Sequence, residues 1–110
     1  MRPIPKKLLI HSAELSTPQS CDVWQKVSYS ESVTLRHVRI EPCTKIVLGA
    51  DNTQRQQTAT LFFDTANSSP SDTEFTVGQR VQALGQTYAV LTVERLYDNR
   101  RLHHYEVGLG

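Results

Sequence analysis

A chain of 110 residues makes one domain around a single core, which excludes a catalytic domain carrying a separate substrate domain. Its hydrophobic share of 38% is low for a globular chain, so the core should be thin and some apolar surface should wait for a partner. A formal charge of +1, from 12 basic and 11 acidic residues spread along the chain, excludes the electrostatic footprint of a duplex-binding protein.

No run approaches the roughly 20 apolar residues of a membrane-spanning helix. The amino terminus leads into too few apolar residues for a signal peptide. The expectation is a soluble chain in a reducing cytosol, a compartment that argues against a disulfide between Cys21 and Cys43, although neighbouring strands would allow one.

In chain order, Pro3 and Pro5 keep residues 1–6 as an extended arm. Lys7 to Ala13 follows as a first strand, with Leu8 and Ile10 on one face and Leu9 and His11 on the other. Ser16-Thr-Pro-Gln-Ser20 reads as a turn. Val23 to Tyr29 is a second strand, placing Val23, Val27 and Tyr29 opposite Trp24, Lys26 and Ser28. Val33 to Glu41 changes parity, from Val33 and Leu35 to Val38 and Ile40, and a β-bulge near Arg36-His37 reconciles the four. Thr44 to Gln57 lacks periodicity apart from Ile46-Val47-Leu48, and Gly49-Ala-Asp-Asn52 is a turn cluster, so the stretch reads as a long polar loop. Thr58 to Asp64, containing Leu61-Phe62-Phe63, is a core strand, and Thr65 to Thr73 a surface loop.

Phe75 to Leu109 reads as a three-stranded antiparallel meander. Gly85-Gln86 separates its first two runs as a II′ turn, glycine supplying the positive φ of the first central position. Asp98-Asn99 marks the second turn. Tyr88 and Val90 share a face that Leu91, Val93 and Leu96 leave, which predicts a second bulge. The closing run alternates, Tyr105, Val107 and Leu109 against His104, Glu106 and Gly108. About six antiparallel strands with two long loops and no capped helix define an all-β single domain over 1–110, a small barrel or tight sandwich. Its expected core is Leu8, Ile10, Leu35, Val38, Ile40, Leu61, Phe63, Val81, Val90, Val93, Tyr105 and Val107.

Reactive chemistry is sparse. His103 and His104, adjacent on a strand, point to opposite faces, and with His11 and His37 on other strands they give no spaced ligand set. Neither Cys21 nor Cys43 sits in a nucleophile elbow or beside a base. Asp64, Asp72, Glu74 and Glu94 offer carboxylates that ordinarily solvate loops. The expectation is no catalytic site, no metal and no cofactor. One basic concentration remains, Arg95, Arg100 and Arg101 around the second turn with Tyr97 and Tyr105 nearby. It reads as a polar turn over core aromatics or, alternatively, as a nucleic-acid patch of Arg95, Tyr97, Arg100 and Arg101 on an OB-like barrel.

The opening Pro3-Ile-Pro-Lys-Lys-Leu-Leu-Ile-His11, Val38-Arg-Ile-Glu-Pro-Cys-Thr-Lys-Ile46, Leu61-Phe-Phe-Asp64 with Asn67-Ser68, Phe75-Thr-Val-Gly-Gln-Arg-Val81, Tyr88-Ala-Val90, Leu96-Tyr-Asp98 and Leu102-His-His-Tyr-Glu-Val-Gly-Leu109 stand in a characteristic order and spacing. In these the chain resembles the minor capsid or head-to-tail connector proteins of tailed phages and prophages of low-GC Gram-positive bacteria. Ser12 to Val27 departs from that pattern. The resemblance implies a non-enzymatic virion component at the neck, assembled in the host cytoplasm. It would dock below the portal after DNA packaging, as the stopper that closes the head or as the joining protein that receives the tail. Its expected partners are portal and adaptor ring proteins, the tail-joining protein and copies of itself in a templated ring. Packaged DNA would be met by steric contact, with no membrane involved. The candidate channel loop is Thr44, Lys45, Ile46, Val47, Leu48, Gly49, Ala50, Asp51, Asn52, Thr53, Gln54, Arg55, Gln56 and Gln57.

Overall fold

Alternation of apolar side chains builds most of the strands. In the computed structural model, which describes residues 4–21, 27–48, 53–70 and 72–110, a 3-10 turn over Lys6–Leu8 precedes eight strands. These are β1 (His11–Ser16), β2 (Pro18–Cys21), β3 (Val27–Tyr29), β4 (Val33–Leu48), β5 (Gln54–Asp64), β6 (Arg80–Ala83), β7 (Gln86–Tyr97) and β8 (Leu102–Leu109). Six of them close an antiparallel barrel in the order β1-β4-β5-β8-β7-β6, with β6 returning to β1, and β2 and β3 pair as a separate hairpin. The expected all-β barrel is therefore the fold. Along β5 every second residue from Gln57 to Phe63 is buried, and along β8 so are Tyr105, Val107 and Leu109.

Bulges supply the curvature that closure demands. His11 pairs with Val38 and Ser12 with Arg36, leaving His37 as the extra residue with φ 57°. That slip lets Leu35 and Val38, three apart, both enter the core. Leu91 is the extra residue of β7, between Val90↔Leu109 and Thr92↔Gly108. Both bulges fall where the change of apolar parity predicts them. A third, at His103 between Leu96↔His104 and Tyr97↔Leu102, carries no such signal.

Phe63, Phe75 and Tyr105 pack edge to face in the core, with centroids 5.1 to 6.2 Å apart. Such aromatic pairs add about 1 kcal/mol each beyond their buried area. Phe75 is fully buried although it lies in the connection between β5 and β6, which is why strand alternation misses it.

Four expectations need correction. Lys7 to Ala13 is not one strand: Leu8 N–H bonds to Pro5 C=O and Leu9 N–H to Lys6 C=O, and the tight turn inverts the facing. Leu9 is buried while Leu8 and Ile10 are 44% and 65% exposed. The expected turn at Ser16–Ser20 contains a strand, because Pro18 to Cys21 pairs with Val27 to Tyr29; the start of the expected strand Val23–Tyr29 lies outside the described residues. The first meander turn is centred on Leu84-Gly85, not Gly85-Gln86: Ala83 pairs with Gln86, and φ is 52° and 74° at the two central residues, the signature of type I′. Finally, the described part of the stretch from Thr44 to Gln57 is not a structureless loop, since β4 runs on to Leu48 and β5 begins at Gln54, the two paired as a ribbon.

Candidate functional site

β4 and β5 outrun the barrel. β4 pairs with β1 only as far as Val38, and β5 with β8 only from Ala59. From Lys45↔Gln57 to Leu48↔Gln54 the two strands pair with each other alone, as a two-stranded arm. Gly49, Ala50, Asp51 and Asn52, which the expected loop includes, lie outside the described residues. At about 3.4 Å per residue, the four residues of each strand in the arm reach about 14 Å. The molecule measures 47 Å along its longest axis against 30 and 29 Å across.

The sequence of the arm explains why it stands clear. A register shift between Pro42 and Lys45 ends the barrel's alternation, and beyond it Thr44, Lys45, Ile46, Thr53, Gln54, Arg55 and Gln56 are all exposed. Ile46 is 69% and Leu48 65% exposed, an apolar expense on an otherwise polar ribbon. Thr44, Lys45, Ile46, Gln54, Arg55 and Gln56 line an open hollow of about 560 Å³. Gln57 is the exception at the root: it is buried, and its Nε2 donates to Thr60 Oγ1 at 2.8 Å and to Cys43 Sγ at 3.4 Å. Cys43 is a free thiol.

The basic concentration at the second turn divides. Arg95 Nη2 donates to the Phe75 carbonyl at 3.3 Å, and its guanidinium lies 5.8 Å from the centroid of the Tyr105 ring, so it braces the aromatic cluster. Arg100 and Arg101 sit in the turn itself, their backbone N–H groups donating to Asp98 Oδ1 at 2.8 and 3.0 Å. Those two bonds hold the Asp98 carboxyl below the usual carboxylate range. Tyr97 is exposed. Arg95 is thus occupied, and an acidic group stands among the remaining cations.

The histidines are brought together in an unexpected way. The bulge at His103 turns its ring toward that of its neighbour, and His103 Nδ1 lies 2.7 Å from His104 Nδ1. His104 Nε2 lies 3.0 Å from Glu106 Oε2. Two neutral imidazoles satisfy this chain when Nδ1–H of His103 donates to His104 and Nε2–H of His104 donates to Glu106. His11 is elsewhere, its Nδ1 accepting from Ile40 N–H at 3.0 Å. Among the described residues no three His, Cys, Asp or Glu side chains gather as metal ligands.

Sequence reasoning missed the role of Asp64, which it took for a solvated loop charge. Asp64 is fully buried, with Oδ2 accepting from Ile4 N–H and Oδ1 from Ala66 N–H at 2.7 Å. Asn67 Nδ2 donates to the Ile4 carbonyl at 2.7 Å, and Ser68 Oγ accepts from Asp64 N–H at 2.9 Å and donates to the His37 carbonyl. The segment before β1 is thereby strapped across the barrel to the loop after β5. A readable signal was present: Asp, Asn and Ser clustered directly after an apolar strand mark side chains that bond to backbone. Of the surface hollows, the open groove of about 440 Å³ over β1 and the β6–β7 turn carries a single ionisable side chain, Glu14.

The described residues thus form a closed barrel with a projecting ribbon, and the cluster of Asp64, Asn67 and Ser68 is spent on holding backbone. A sequence model of the minor capsid protein family matches residues 5–109, and the chain belongs to that family of phage virion components. No curated protein matches the chain. Among solved structures the chain is similar to the phage-like element PBSX protein xkdH from Bacillus subtilis, at 13% identity over 90% of each chain with a TM-score of 0.46. No helix among the described residues is long and apolar enough to cross a membrane.

Proposed function

We propose that this minor capsid protein is a head-to-tail connector subunit of the stopper type, docking below the portal and helping to retain packaged DNA until the tail attaches. The observation that supports the reading is the arm. A ribbon that leaves a rigid barrel, lacks a covering layer and exposes Ile46 and Leu48 is suited to meeting other subunits in a ring or to narrowing a channel. Its polar composition suits steric contact with DNA, because a dense positive surface would hold the duplex and oppose its release. Portal and adaptor rings, the tail-joining protein and further copies of the chain are the partners this role requires, with ring formation templated by an already symmetric portal.

Replacing residues 45–56 by a short Gly-Ser turn tests the proposal, since loop closure changes energy only slowly with length and Gln57 at the root is kept. The truncated chain should fold as the barrel and assemble on heads that package DNA and then leak it. Full retention of DNA with tails failing to attach would instead make the protein the joining partner. Full retention with normal tails would remove the arm from the function.

A further inference from the structure

We propose that the root of the arm is a binding site for a hard divalent cation of the calcium class. Glu94 and Glu106 are directly paired across β7 and β8, an arrangement of like charges that is unfavourable on its own. Among the described residues the only basic group bonded to either is His104, at Glu106 Oε2. The two glutamates line a cavity of about 40 Å³ together with Thr60, Thr92, Gln57 and Gly108, room for an ion with a water.

Two further features point into that cavity. Gln57 is buried to 2% exposure, and its amide is oriented by Nε2 donating to Thr60 and Cys43, yet its carbonyl oxygen Oε1 has no hydrogen-bond partner. A buried carbonyl left without a donor is destabilising, because it gives up its bond to water and gains none in return. The second is Gly108, where a Cβ would come within 2.3 Å of Thr92 Oγ1 and 2.5 Å of Gln57 Oε1. The missing side chain is what allows these two oxygens to converge over the strand. Carboxylates at the rim and an amide carbonyl with hydroxyls at the floor are all hard oxygen donors, the set calcium takes in irregular geometry, whereas magnesium demands a regular octahedron. A cation there offsets the repulsion between Glu94 and Glu106 and gives Gln57 Oε1 its missing partner. Lys45, which also lines the cavity, is the internal competitor for the same carboxylates.

Calcium chloride titrated into the purified full chain, followed by calorimetry and by thermal melting, tests the site. With two carboxylates the dissociation constant should fall in the extracellular-module range of about 0.1 to 1 mM, and 10 mM calcium should raise Tm by about 5 °C. The Glu94→Gln, Glu106→Gln double variant should melt above the parent protein without calcium and be indifferent to it, and Lys45→Met should bind more tightly. An equal rise with sodium chloride of matched ionic strength, a response retained in the double variant, or the absence of both heat and shift would each overturn the proposal.

Discussion

Leu84 holds a backbone conformation that leucine seldom adopts, and it does so on the surface at 57% exposure, where packing returns little. A type I′ turn favours Asn-Gly, so Leu84→Asn should stabilise the protein by about 1 kcal/mol, read as a higher urea midpoint at unchanged slope. Asp64 works in the opposite sense. Removing the buried carboxylate leaves the Ile4 and Ala66 N–H groups without their acceptor, and Asp64→Ala should cost about 2 kcal/mol while accelerating amide exchange at Ile4. Asp98 contributes through charge at the exposed turn. Its carboxyl titrates lower in the folded protein than the ordinary 3.8, so its contribution is present above pH 3.8 and is lost as the pH falls through the folded-state value. The difference in melting temperature between the parent and Asp98→Ala should therefore shrink across that acid range.

At the scale of elements, legibility followed burial. β5 and β8 alternate because one face of each meets the core, and the bulges at His37 and Leu91 were readable because burial on both sides of each forces the apolar pattern to change step. The arm was misread for the complementary reason: Gln54, Arg55 and Gln56 face water in a free ribbon, and hydrophobic periodicity reports burial rather than pairing. The strand pairing of Lys45–Leu48 with Gln54–Gln57 is therefore what the sequence reading misses. The strap before β1 escaped because a 3-10 turn inverts the facing of Leu8 and Leu9, and because Asp64 reaches Ile4 across 60 residues. Since the arm lies outside the core, Ile46→Ser with Leu48→Ser should shift stability by less than about 0.5 kcal/mol per site in the free protein. A larger loss in urea denaturation would mean that these side chains support the barrel.

For the molecule as a whole, stability rests on the core that the six barrel strands share. Val107, fully buried on β8 and paired with Leu61 and Val93, should not tolerate a charge: Val107→Lys should unfold the protein, seen as loss of the cooperative melt. Free in solution the chain should sediment as a monomer or weak associate, because its charge is balanced and its exposed apolar groups are divided among the segment before β1, the arm and the turns rather than gathered in one patch. A tight ring at micromolar concentration without other proteins would contradict this. Closure of the barrel carries one more consequence. Each of its six strands has a neighbour on both sides along part of its length, so the barrel presents no whole strand edge onto which another chain can add a strand. Among the described residues, ladder pairing is one-sided along β4 beyond Val38, β5 before Ala59, the β2–β3 hairpin and Thr92 to Tyr97 of β7, which runs past the end of β6. Strand addition between neighbouring molecules falls to such one-sided stretches, and the doubly paired part of the barrel meets its neighbours through side chains.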